Sequence, residues 1–225
     1  MRVNWRTDWP QWVIIGGMLS FAALAWPSTP DQMPVHWNLY GEPDRFGGKF
    51  EGLFVVPLAG IAVYLVLAFA PRFDPGRANY AQFAQAVMIL RTAVIAMLGA
   101  VYIGLQLAAH GSRIDISKLV ALVIGGLFLV SGSVMGKLRP NWFFGIRTPW
   151  TLSSKEAWVK THRLGGWLFV AGGFLIMLSS VAPAPWNGLA IAVVAFSVGI
   201  VTVVYSYFVW RSDPEKIPPA GTRPA

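Results

Sequence analysis

The chain has 225 residues, of which 55% are hydrophobic and only 12% are charged. A soluble domain carries about twice that charge, so the composition excludes a disordered chain and argues against a soluble enzyme. The absence of cysteine removes disulfide scaffolds, thiolate metal sites and cysteine nucleophiles, and a net charge of +8 fits Lys and Arg held against anionic lipid better than nucleic-acid binding.

Six apolar runs follow one another: Trp12 to Trp26, Gly52 to Ala70, Thr92 to Ala109, Leu119 to Met135, Leu164 to Ala182 and Trp186 to Trp210. Each is close to the roughly 17 to 25 residues that cross hydrocarbon, a medium in which a single segment satisfies its backbone only as a helix. The expected fold class is therefore all-α, an integral membrane bundle of six transmembrane helices with one structured outer loop and one basic inner loop. The expected organisation is an N-terminal module over residues 1–75, a helical region over 76–212 and a flexible, Pro-containing tail over 213–225. The first run is the shortest and weakest. Ala23-Leu24-Ala25 after a basic start resembles a signal-peptidase site, whereas Trp12 and Trp26 bracket the run as interfacial anchors do.

Between the first two runs, the loop from Pro27 to Glu51 is longer than a connection requires. Pro34, Gly41, Pro43 and Gly47-Gly48 supply turns, and Val35, Trp37 and Leu39 alternate with His36 and Asn38 as in a short two-faced strand. Glu42, Asp44, Arg45 and Lys49 are placed to form a charge network. His36 with Asp31, Glu42 and Asp44 is chemically suited to a metal, but lacks a spacing rule, so no metal or other cofactor is expected.

Arg91 stands at the start of the third run and is expected to snorkel to the headgroups near one end, after an amphipathic lead-in over Tyr80 to Leu90. At the end of the fourth run, Gly132 and Gly136 form a GxxxG pair, suited to packing inside the bundle or to dimerisation. The loop from Gly136 to Gly166 interleaves Trp142, Phe143, Phe144 and Trp150 with Lys137, Arg139 and Arg147. Ser153 and Glu156 read as a capping box that starts a helix near Ser154 and places Lys155, Val159 and His162 on one surface. Arg147, between Gly145 and Pro149, is aimed by turn residues at a fixed direction, as a group that recognises an anion would be.

Counted on alternate sides of the six runs, thirteen of the eighteen Lys and Arg fall with the termini and four fall with the first and third loops. The bias places both termini in the cytoplasm, with anionic lipid as a partner of the basic side. No GxSxG, HExxH or phosphate-binding glycine loop is present, and His36 and His162 lie on opposite sides, so no enzyme is expected.

The segment PVHWNLYGEPDRFGGK resembles an N-terminal module of unknown function found in many bacterial membrane proteins. The segment MGKLRPNWFFGIRTPWTLSSKEAWVKTHRLGG is similar to the signature region of the SdpI family. The resemblance implies a multi-pass protein of the bacterial cytoplasmic membrane. Its function would be immunity to a secreted hydrophobic peptide toxin, with signal transduction by capture of a transcriptional repressor at the cytoplasmic face. Carried onto this chain, the matching outer positions include His36, Asn38, Asp44, Arg45 and Lys49, taken as binding the toxin. The inner positions include Asn141, Arg147, Thr148, Trp150 and His162, taken as binding the partner. The competing reading is a small transporter or channel. It requires polar groups at the bilayer midplane, where the runs offer mainly Ser20, Gln106, Ser131, Ser133, Ser179 and Ser180.

Overall fold

The computed structural model describes residues 4–217. Helix α1 (Trp5–Ala25) leads into a β-hairpin of β1 (Gln32–Trp37) and β2 (Pro43–Gly48), and α2 (Lys49–Phe73) returns. Helix α3 (Tyr80–Ala109) and α4 (Ile116–Met135) form a second antiparallel pair. A loop containing the short α5 (Pro149–Ser153) then leads to α6 (Lys155–Ser179) and α7 (Trp186–Ser212). The hairpin caps one end of the bundle and the α4–α6 loop closes the other.

Helices α2, α3, α4, α6 and α7 are each long and apolar enough to cross a membrane. Their outward faces agree: along α7, Val193, Phe196, Ile200, Val204 and Phe208 stand exposed, an apolar stripe suited to lipid rather than water. Helix α1 has the length but not the apolarity, because Asp8, Pro10 and Gln11 occupy its first turns. Asp8 and Gln11 are nevertheless completely enclosed. Asp8 pairs with the buried Arg91 of α3 and accepts from the Tyr64 hydroxyl of α2 at 3.1 Å, while the Gln11 amide donates to Thr92 Oγ1 at 2.7 Å. Arg91 therefore does not snorkel. It is 2% exposed and joins three helices, because a partner charge on α1 sits within reach.

The C-terminal helices pack by close backbone approach. A Cβ on Gly132 would stand 2.7 Å from the Gly166 carbonyl, and one on Gly125 would stand 2.7 Å from that of Gly173. Both helices thus carry glycine every seven residues, two turns apart, so antiparallel α4 and α6 meet twice along the same seam. Gly136, the second member of the sequence pair, has open space in front of it. The GxxxG spacing is therefore not the packing motif, and Gly132 is used within the chain.

At the loop end, one apolar core joins the two halves. Tyr80, Phe83 and Val87 of α3 pack with Val134 of α4, Leu138 and Phe144 of the loop and Trp158 of α6. A second core of Ile15, Met18, Tyr64, Ile95 and Tyr102 holds α1, α2 and α3 together. The lead-in read over Tyr80 to Leu90 is continuous with α3, with a kink at Phe83.

Candidate functional site

The hairpin turn is built by its own residues. Asn38 Oδ1 accepts from the backbone N–H of Tyr40 at 2.9 Å and of Glu42 at 3.1 Å, and Gly41 adopts φ +76°, a left-handed conformation open to glycine. The expected alternation ends earlier than read, since β1 stops at Trp37 and Leu39 lies in the turn. A histidine–carboxylate contact and two ion pairs are formed by residues of the hairpin and its flanks. His36 Nδ1 lies 2.6 Å from Asp44 Oδ1, Arg45 Nη1 donates to Glu51 Oε1 at 2.7 Å, and Lys49 Nζ lies 3.3 Å from Asp31 Oδ1. Met33 points inward, 1% exposed, into a small core with Ala22 and Leu53. Among the described residues no three His, Asp or Glu side chains come together as a metal site.

The hairpin tip rests on the C-terminal half. Gly41 approaches Ser117 at the start of α4. Ser117 Oγ accepts from the buried Asn187 amide at 2.9 Å and donates to Asp115 Oδ1 at 2.6 Å. Burial opposes ionisation of Asp115, but the Ser117 hydroxyl and the Lys118 backbone N–H outweigh it and hold the carboxyl below its usual range.

The opposite loop folds around Asn141, which is 1% exposed. Its Oδ1 accepts from Phe143 N at 2.9 Å and Phe144 N at 2.6 Å, and its Nδ2 donates to Arg139 O at 2.8 Å and Phe144 O at 3.1 Å. Gly145 follows with φ +99°, and a Cβ there would fall 2.3 Å from His162 Nε2. His162 is 1% exposed and stacks on Trp158 with ring centroids 4.0 Å apart. Its Nδ1–H donates to Trp158 O at 2.8 Å and its Nε2 accepts from Ile146 N at 3.1 Å. A carbonyl on one side and an N–H on the other select the neutral Nδ1–H tautomer.

Thr148 caps α5 in a reciprocal pair with Thr151, and its hydroxyl lies 3.0 Å from Ser206 Oγ of α7. This capping box was not read from the sequence. The one that was read shifts by a residue, because Ser154, not Ser153, accepts from Ala157 N and caps α6. Lys155 and Val159 are exposed while His162 faces inward, so the three do not share a surface. Arg147 is exposed and donates to Trp142 O at 2.7 Å, and Trp150 meets Tyr207 edge to face. The same loop leaves Trp142, Phe143, Lys137 and Arg139 exposed, aromatic and basic residues in one segment.

Two signals were missed at this end. Asp74, 2% exposed, accepts from Tyr80 OH at 2.6 Å and from Trp142 N at 2.9 Å, tying the α2–α3 turn to the loop. Asn79 Nδ2 adds a bond to Pro140 O at 2.8 Å. An isolated Asp next to Pro75 gives no sequence cue to a partner nearly seventy positions away. The first residues of the expected tail are hydrogen-bonded to the loop: Ser154 Oγ donates to Asp213 Oδ2 at 2.5 Å and Ile217 N donates to Ser153 O at 2.9 Å. The rest of the expected flexible tail lies outside the described residues.

Residues 137–206 match the model of the SdpI/YfhL protein family, and residues 13–61 match a domain of unknown function, DUF1648. The chain is 22% identical over 182 residues to the immunity protein SdpI of Bacillus subtilis, covering 81% of this chain and 85% of that protein. No solved structure matches it. The two signature loops at opposite ends of the bundle thus fall in the two matched segments, and the chain joins a DUF1648-type segment to an SdpI/YfhL-type region, similar over most of its length to an immunity protein.

Proposed function

We propose that this chain is a multi-pass protein of the bacterial cytoplasmic membrane that confers resistance to a secreted hydrophobic peptide toxin by binding it. In this reading α1 is the sixth crossing helix, admitted because Asp8 is neutralised by Arg91 inside the bundle. Both termini and the α4–α6 loop face the cytoplasm and the hairpin faces outward, as the Lys and Arg bias requires. The similarity to an immunity protein carries the proposal, and the two ends of the bundle supply a physical basis for it.

The outward hairpin presents His36, Asp44, Arg45 and Lys49 as a polar rim above an apolar bundle, a surface complementary to a peptide with an apolar body and polar ends. Asn38 sets the turn that displays them. At the cytoplasmic end, Arg147 and Trp150 contact the partner, a transcriptional repressor in the reading the family implies, and anionic lipid borders the same basic surface. Asn141, Thr148 and His162 position the loop from beneath. Coupling between the ends requires that the toxin prefer one of two arrangements. The hairpin tip on Ser117 and the Asp74 bond to Trp142 are among the contacts through which the N-terminal half reaches the C-terminal half at each end.

The test is survival of sensitive cells challenged with a purified hydrophobic peptide toxin, with membrane insertion confirmed for every variant. The parent protects, His36→Ala and Asp44→Ala lose protection, and Arg147→Ala retains it while losing the cytoplasmic partner. Normal protection by both hairpin variants would end the outer-loop mechanism, and no protection by the inserted parent would end the immunity reading.

A further inference from the structure

A groove of about 700 Å³ runs between α1 and α3. It starts where the two helices touch, at Ile14 against Gly99. From there it follows Gly17, Met18 and Phe21 on one side and Tyr102, Ile103 and Leu107 on the other, and reaches Ser28 and His110 at the hairpin end. No residue of α2 or α4 lines it, so it opens sideways, toward lipid in a membrane. From Gly99 to His110 the helix rises about 17 Å, close to half of a hydrocarbon core of about 30 Å. The groove is one leaflet deep, and its volume lies within the roughly 300 to 1,000 Å³ of small-ligand sites.

Its chemistry selects the occupant. Among the described residues no Lys, Arg, Asp or Glu lines it, and its walls are mostly aliphatic and aromatic. Apart from the Tyr102 hydroxyl and the Gln106 side-chain oxygen, each enclosed without a hydrogen-bond partner, polarity is confined to the mouth. His110 Nδ1–H donates to the Gln106 carbonyl at 2.7 Å, so the neutral ring keeps a lone pair on its other nitrogen. Ser28 Oγ donates to Ala25 O at 3.1 Å and keeps its lone pairs. Gln106 turns its amide away, to Gly52 O at 2.8 Å. The mouth therefore offers hydrogen-bond acceptors and no Lys or Arg, which suits a head group that donates and carries no negative charge. A phosphate or carboxylate would meet lone pairs and no compensating charge.

We propose that this groove is a binding site for an uncharged, hydroxyl-bearing, single-chain amphiphile of the monoacylglycerol type, its chain between α1 and α3 and its hydroxyls on His110 and Ser28. The site is independent of the toxin reading.

Gly17 allows a clean block, because a Cβ there meets nothing within 4 Å, so Gly17→Leu fills the groove without displacing the backbone. The full chain, reconstituted in nanodiscs, is irradiated with a monoacylglycerol bearing a photoactivatable group on its chain, and the adducts are mapped by mass spectrometry. A lysophosphatidic acid and an alkane with the same photoactivatable chain serve as comparison probes. The monoacylglycerol is expected to label residues 13–28 and 99–110, with labelling down about tenfold in Gly17→Leu, a change worth about 1.4 kcal/mol of affinity. His110→Leu should reduce monoacylglycerol labelling and leave alkane labelling unchanged. Thermal unfolding of both variants at the parent temperature excludes misfolding as the cause. Labelling insensitive to Gly17→Leu, spread equally over α7, or as strong with the alkane or the phosphate probe overturns the proposal. So does displacement of the probe by a synthetic apolar peptide at lower concentration than by unlabelled monoacylglycerol.

Discussion

Arg91 and Asp8 show what a single buried charge requires of its surroundings. Both are almost fully enclosed, and each is tolerated only because the other is present. Arg91→Leu leaves Asp8 uncompensated and should cost about 3 to 5 kcal/mol, seen as a fall in unfolding temperature in detergent. Adding Asp8→Asn to that variant should recover part of the loss, and a double-mutant cycle measures the coupling. Gly145 is constrained twice, by φ +99° and by His162 behind it. Gly145→Ala should destabilise the loop by about 1 to 3 kcal/mol, with the change in tryptophan fluorescence of the Trp142 and Trp150 region reporting it. The role of Asn141 was legible only as a family position. That it organises the loop from a buried site depends on four short bonds that no spacing rule predicts.

Helix pairs follow from small residues, but only some of them. Gly125 and Gly132 face the α6 backbone, whereas Gly126 and Gly136 face open space. Gly132→Leu should therefore separate α4 from α6 and lower the unfolding temperature sharply, while Gly136→Leu should leave it near the parent value. The reverse order in a thermal unfolding series would contradict the seam. The run positions of the five apolar helices were legible in the sequence, since hydrocarbon dictates both length and composition. The helix starts were less so: Ser154 rather than Ser153 caps α6, because Ser153 is the last residue of α5 and the chain turns extended, the N-cap conformation, only at Ser154.

At the scale of the whole molecule, the two halves are held at both ends, by the hairpin tip on α4 and α7 and by Asp74, Asn79 and the α3–α6 core at the other. The C-terminal segment closes the loop end through Asp213. The Ser154 hydroxyl, then the Glu215 backbone N–H, hold its carboxyl below the ordinary value of 3.8. A lowered pKa means that the clamp is fully stabilising above that value and is lost as the pH falls through the folded-state value. The protection factor of the Ile217 amide, which bonds Ser153 O, should accordingly fall below about pH 4. In Asp213→Ala it should be low at every pH. An unchanged protection factor in that variant would show that the segment is held otherwise.

By itself the sequence determined the membrane-seeking helices, the structured character of the two loops and the family resemblance, because hydrophobic length, turn residues and motif order are local properties of the chain. Only the tertiary structure decided which side chains meet. That Arg91 pairs with Asp8, that Asp74 holds Trp142, that Gly132 rather than Gly136 carries the seam, and that His36 and Asp44 stay exposed while Asn141 and His162 are enclosed all depend on approach between residues far apart in sequence. Burial and partnership of a polar group are set by what packs against it, and that is a property of the assembled bundle.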